Sequence, residues 1–259
     1  MTRTRTAVLG LVAAAASFPL ILVAQATSDI GDNSMADLET RLSDERTLFN
    51  VTVNETPDDD LLELGRLVAM GGAENGGSGM ACITCHGGAG EGDGSGAFPR
   101  LTGLPGWYSY KQLNDYASGA RPNQIMSGVA QRLTEREREA VSAYYAAMRA
   151  PHVPTLGAVD QGLLQWGGQL AAVGSAERGI PACVNCHGAQ GTGNPPSVPY
   201  LAGQYADYMV YQLELWKDGV RDNDAMNVMS AIAEKMSTED MRAVSEYYAR
   251  VANPLTTPE

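Results

Sequence analysis

The chain has 259 residues, 18 of them basic and 30 acidic, for a formal net charge of −12. So negative a surface excludes the broad electrostatic attraction on which nucleic-acid binding depends, and it repels anionic lipid heads. The length suits two domains of ordinary size, yet only three phenylalanines are present, which leaves room in each core for a large apolar prosthetic group.

At the N-terminus, Arg3 and Arg5 precede an apolar run from Ala7 to Ala24, and Ala24-Gln25-Ala26 is a small-x-small cleavage site. Residues 1–26 therefore read as a signal peptide that exports the chain to the periplasm and leaves Thr27 as its new terminus. Removing them takes away two arginines and no acid, which moves the net charge to −14. The run is barely long enough to span a bilayer and has Pro19 inside it. The alternative is an uncleaved anchor that keeps the protein at the membrane surface, facing the periplasm. Residues 27–56 are an acidic extension, including the stretch 36–49, with no counterpart later in the chain. A spacer or a strap is favoured for them over a docking arm.

The first domain, residues 57–150, opens with a helix expected at about 58–70. Cys82-Ile83-Thr84-Cys85-His86 follows, and it returns as Cys183-Val184-Asn185-Cys186-His187, so the two motifs use all four cysteines and two of the three histidines. Two thiols at this spacing on a helical turn can each form a thioether with one haem vinyl group. The adjacent histidine is then carried under the ring to the iron. Two covalent haem c groups are expected, with His86 and His187 as proximal iron ligands. A four-cysteine zinc site is the rival, but the pairs lie about a hundred residues apart and each is followed at once by histidine.

Residues 87–98, and later 188–198, are too rich in glycine, proline and small polar residues for regular structure. A helix at about 106–117 precedes Gly119-Ala120-Arg121 and Met126. The last helix of this domain opens with the capping box Thr134-x-x-Glu137 and carries Val141, Tyr144, Tyr145 and Met148 on one stripe. Pro151, Pro154 and Gly157 mark a stiff linker at 151–158, short enough to hold two domains in contact. His152 sits between its prolines and reads as an exposed linker side chain.

The second domain, residues 159–259, repeats the first. Helices are expected at about 159–172 and 204–217. Pro99-Arg100-Leu101-Thr102-Gly103 matches Pro199-Tyr200-Leu201-Ala202-Gly203, Gln112-Leu113 matches Gln212-Leu213, and Arg121 matches Arg221, all at an offset of 100. Met126-Ser127-Gly128-Val129-Ala130 matches Met229-Ser230-Ala231-Ile232-Ala233 at 103, so the second copy has three extra residues before its methionine. Ser237 and Asp240 resemble the capping box, with Val244, Tyr247, Tyr248 and Val251 behind them. No sheet of any size is expected. Met126 lies 40 residues after His86 and Met229 lies 42 after His187. Most of the eleven methionines are core fillers, but these two, in matched contexts, read as the opposite axial ligands. Met226 is the competitor in the second copy.

The ordered set of CxxCH, glycine-rich loop, Pro-x-Leu-x-Gly, Tyr-x-x-x-Gln-Leu, Gly-x-Arg, methionine and final helix, present twice over roughly residues 57–256, resembles the di-haem class I cytochromes c of the cytochrome c4 type. The resemblance implies an all-α fold of two tandem cytochrome c domains, related by a pseudo-twofold, with haem edges facing one another. It also implies that the carbonyls of Pro99 and Pro199 accept a hydrogen bond from Nδ1 of His86 and His187. Otherwise those prolines only shape a turn, and Tyr108, Tyr208, Gln112 and Gln212 only pack. Arg121 and Arg221 either pair with haem propionates or face water.

The function expected is periplasmic electron transfer without catalysis. Single electrons pass from a quinol-oxidising complex or a periplasmic dehydrogenase to a terminal oxidase or another acceptor. One alternative is the haem subunit of a larger dehydrogenase such as a flavocytochrome. A di-haem peroxidase-like enzyme is disfavoured, since only His152 remains as a histidine for distal acid–base work. Asp222 and Asp224, absent from the matching stretch of copy one, are expected to make the second haem the lower-potential site.

Overall fold

Side-chain caps set the starts of the first and last helices of each copy in the computed structural model, which describes residues 57–72, 80–148, 157–195 and 197–252. The signal peptide, the N-terminal extension and His152 with most of the linker lie outside the described residues. In copy one, α1 (Asp59–Ala69) begins where the Asp58 carboxylate accepts the Asp60 N–H at 2.8 Å. Asp59 and Asp60 then place negative charge at the positive end of the helix dipole. The CxxCH motif forms α2 (Cys82–His86). Helix α3 (Gly106–Ser118) stops at Gly119, whose left-handed φ of 86° lets the chain leave the last turn. A short α4 (Met126–Gln131) follows, then α5 (Glu135–Ala147), which carries the full Thr134/Glu137 capping box.

Copy two repeats this order as α6 (Gln161–Ala172), α7 (Val184–His187), α8 (Ala206–Lys217), α9 (Val228–Ala233) and α10 (Thr238–Arg250), the last with the Ser237/Asp240 box complete. The three extra residues are taken up by a 3-10 turn, Ala225–Asn227, ahead of α9. Among the described residues the only β pairing is two isolated bridges, Ser175 with Ile180 and Asn194 with Val198. The fold is all-α.

Each copy is closed by its first and last helices, α1 on α5 and α6 on α10. The crossings are tight. A Cβ at Gly65 would overlap the Ala140 carbonyl, and one at Gly167 would overlap that of Ala243, so glycine is required by the approach of the backbones. Behind each crossing lies a core: Leu64, Val68, Leu133, Val141 and Tyr145 in copy one, and Met209, Leu213, Trp216, Met241, Val244 and Tyr248 in copy two. Tyr144 and Met148, like Tyr247 and Val251, pack half-buried at the edges. Both copies belong to one compact unit. No helix among the described residues is long and apolar enough to cross a membrane.

Candidate functional site

The two CxxCH helices place their groups alike. His86 is 7% and His187 6% exposed. Nδ1 of His86 lies 2.9 Å from the Pro99 carbonyl oxygen, and Nδ1 of His187 lies 2.8 Å from that of Pro199. With Nδ1–H donating to a carbonyl, the free lone pair sits on Nε2, the tautomer a metal ligand needs. Burial holds both imidazoles below their usual protonation range, against the smaller opposing effect of those carbonyls, so both are neutral near pH 7.

No disulfide joins the four cysteines. Cys82, Cys85 and Cys183 are partly buried and Cys186 is exposed. Burial pushes the Cys82 and Cys183 thiols up to about 11. Among the described residues no group of three or more His, Cys, Asp or Glu side chains is gathered to hold a metal ion. The four cysteines of the zinc rival are thus not brought together among the described residues.

The two methionines expected as opposite ligands sit in the first turns of α4 and α9. Met126 is the first residue of α4, half-buried, and its N–H donates to Asn123 Oδ1 at 2.8 Å. Met229 packs against the core of copy two alongside Cys183 and Leu201, and its N–H donates to Asp224 Oδ2 at 2.7 Å. Met226 is 93% exposed. It and Asn227 take left-handed φ values of 60° and 55°, a conformation that costs a residue with a Cβ about 1–2 kcal/mol and here turns Met226 outward.

Each copy also holds buried polar atoms with no protein partner. The hydroxyls of Tyr145 and Tyr248, at equivalent places in the two copies, and the indole N–H of Trp216 are buried and unbonded. Such atoms are costly unless something polar completes the wall. A porphyrin, largely apolar but edged with carboxylates, is a group of that kind.

Arg121 and Arg221 do not face water; each is 4% exposed. They lie at the seam between the copies in a reciprocal network. Arg121 donates to Gln112 Oε1 of its own copy at 2.7 Å, and across the seam to Tyr208 OH at 3.0 Å and Gln212 Oε1 at 2.5 Å. Arg221 donates to Gln212 Oε1 at 2.7 Å, and across to Gln112 Oε1 at 3.2 Å and Tyr108 OH at 3.5 Å. Tyr108, Tyr208, Gln112 and Gln212, for which packing alone was the alternative, are thus its hydrogen-bonding members. The exchange of partners between equivalent residues is what a pseudo-twofold produces.

Burial, with the neighbouring Arg121 charge, pushes the Arg221 guanidinium below its usual range. Neither arginine is ion-paired to a carboxylate among the described residues. Two buried cations held by neutral acceptors are expensive until anions reach them, and haem propionates are anions of suitable shape. The residues present therefore fit one covalent haem c in each copy.

Two seam residues carry no signal in a sequence reading. Gln204 bonds the backbone of residue 100 at both ends, accepting from its N–H and donating to its carbonyl, each at 3.0 Å. Tyr205 OH donates to the Glu91 carbonyl at 2.6 Å. Their partners are more than a hundred residues away in sequence. The only clue is a mismatch between the copies, where Leu104 and Pro105 stand opposite Gln204 and Tyr205.

Comparison with known proteins agrees with this geometry. The cytochrome c family model matches residues 76–148 and again 179–251. The thiosulfate dehydrogenase electron acceptor of Stutzerimonas stutzeri is 43% identical over 193 residues, spanning 74% of this chain and 87% of that protein. Reduced cytochrome c4 from Pseudomonas stutzeri superposes with a TM-score of 0.60 at 31% identity, over 66% of this chain and 93% of that one. A thiosulfate dehydrogenase from Marichromatium purpuratum gives a TM-score of 0.66 at 37% identity over 73% of this chain, which matches only 40% of the length of that larger chain.

Proposed function

Because this chain belongs to the cytochrome c family and carries two of its domains in tandem, we propose that it collects electrons from a thiosulfate-oxidising dehydrogenase in the periplasm and hands them to a terminal oxidase or another acceptor. The protein is a di-haem, cytochrome c4-like electron carrier and does no substrate chemistry of its own. The donor, the acceptor and the periplasmic location are the proposed parts. The observation that carries it is the 43% identity, across both domains, to a protein named as the electron acceptor of thiosulfate dehydrogenase.

When bound, each haem c supplies a one-electron ferrous–ferric couple. In this reading Cys82 with Cys85, and Cys183 with Cys186, hold the two groups covalently. His86 with Met126, and His187 with Met229, would hold the two irons, and Met226, turned to solvent, would not. The carbonyls of Pro99 and Pro199 orient the imidazoles, while Asn123 and Asp224 tie down the methionine backbones. Side chains held in this way would need little rearrangement when the bound group gains or loses an electron. Arg121 and Arg221 bind propionates at the seam. Export on residues 1–26 places the protein in the same compartment as such a donor.

The test is direct. Haem-loaded protein mixed anaerobically with a purified thiosulfate dehydrogenase should develop its ferrous absorption bands on addition of thiosulfate. Slow or absent reduction would remove thiosulfate dehydrogenase as the donor. A second reading, a lasting subunit of that enzyme, draws on the match to part of a longer thiosulfate dehydrogenase chain. Co-elution of the mixture on size exclusion supports the subunit, and separate elution with rapid reduction supports a free carrier.

A further inference from the structure

The duplication breaks in charge at one buried position. Arg100 stands where the second copy has Tyr200, and each is 4% exposed. Each follows the proline whose carbonyl holds a histidine, His86 in one copy and His187 in the other. Each also ends in a buried polar atom without a partner, Nη2 of Arg100 and the hydroxyl of Tyr200. The Arg100 backbone is clamped on both sides by the Gln204 amide, at 3.0 Å and 3.0 Å, so the guanidinium is committed to the seam. There it lies 6.0 Å from the centroid of the Tyr205 ring and against Gly203, where a Cβ would stand 3.0 Å from Nη1. Leu104 cannot offer Tyr200 the same clamp.

An arginine in a protein is always charged. Buried among tyrosines with one donor unmet, it lacks the anion that makes such a burial tolerable. A planar carboxylate meets the guanidinium fork best. A cation fixed near one iron favours the ferrous state, which carries one positive charge fewer than the ferric state, and the effect is strong where solvent is excluded. The second pocket has a neutral tyrosine at this place and the Asp224 carboxylate at the Met229 amide.

We propose that Arg100 is a carboxylate-binding residue without a counterpart in copy two, that it takes a propionate of the first haem, and that it holds the potential of that haem above that of the second. The first haem is its target because Arg100 directly follows Pro99, whose carbonyl anchors His86. The proposal rests on the di-haem reading.

The test uses the full haem-loaded chain with Arg100→Tyr, Arg100→Lys and Tyr200→Arg. Spectroelectrochemical titration is paired with resonance Raman spectra of the propionate bending modes, and the first-haem wave is identified by its displacement in Met126→Ala. In Arg100→Tyr the higher wave should move down toward the lower, and the propionate mode of one haem should shift. Arg100→Lys should keep most of the potential while altering the propionate mode, because the charge remains and the fork is lost. Tyr200→Arg should raise the lower wave. Unchanged waves and propionate modes in Arg100→Tyr would overturn the proposal, as would movement of the second wave alone. If Arg100→Tyr does not load haem, Arg100→Lys decides on its Raman mode, which a merely packed side chain leaves unchanged. Absence of two covalent haems from the wild type would instead overturn the di-haem reading itself.

Discussion

On the proximal side the two copies are near replicas. His86 and His187 meet a proline carbonyl at 2.9 and 2.8 Å, and Gly65 and Gly167 permit the same helix crossing. Away from that side they diverge. A neutral amide, Asn123, caps the Met126 loop, whereas a carboxylate, Asp224, caps that of Met229, and Asn223 turns instead to the seam to meet Gln112 at 3.1 Å. Gln204 and Tyr205 grip copy one, and Leu104 and Pro105 do not reciprocate. What builds a haem pocket is constrained by covalent and steric demands that both copies share. What tunes the haem is electrostatic and has separated, and at the seam an unmatched Gln204 clamp joins the matched arginine network.

The sharpest way to break this comparison is to remove one pocket. Cys82→Ser with Cys85→Ser should leave one covalent haem per chain and an unstable first domain, read by mass and by haem staining of denaturing gels. Cys183→Ser with Cys186→Ser should do the same for the second. If either pair left both haems attached, the assignment of the motifs would fail. A smaller and symmetrical effect is expected from Gly65→Ala and Gly167→Ala. Each forces a methyl group into a carbonyl and should cost about 1–3 kcal/mol of stability, measured by thermal unfolding of the loaded protein. Unequal losses would show that the crossings are not equivalent.

The seam supplies an asymmetric test. Arg121 crosses to its partners at 3.0 and 2.5 Å, while Arg221 crosses at 3.2 and 3.5 Å. Arg121→Gln should therefore destabilise by about 1–2 kcal/mol, and Arg221→Gln by less, in urea unfolding. The reverse order would reassign the stronger half of the network.

Acid distinguishes the final helices. Burial pushes the Asp240 carboxyl up, but hydrogen bonds from Arg178, Ser237 and Trp166 outweigh it and hold the group down to about 2. Because its folded pKa lies below that of the unfolded chain, its contribution is complete above about pH 4 and is lost as pH falls toward 2. Asp240→Asn should cost about 1–2 kcal/mol near neutral pH and flatten that part of the acid limb, seen by comparing melting at pH 7 and pH 3. Smallest is a change in potential. Asp224→Asn should raise the second haem's potential, and Asp222→Asn should do so less, since Asp222 is exposed and screened by solvent. Equal effects would mean that proximity to Met229 is immaterial.

Sequence by itself determined whatever rests on local spacing. The CxxCH turns, the duplication, both capping boxes and the long helices appear where residue order placed them, because helix periodicity and caps act within a few residues. It also narrowed the second methionine to two candidates. Tertiary structure decided which of them turns outward, since the left-handed conformation of Met226 and Asn227 depends on how the three extra residues are accommodated between α8 and α9. It alone turned Arg121 and Arg221 inward. Their acceptors come from both copies, and no periodicity links residues about a hundred positions apart. The clamp of Gln204 on residue 100 is of the same kind: its two hydrogen bonds exist only once the copies have docked, because an amide side chain has no partner preference until burial removes water as the alternative.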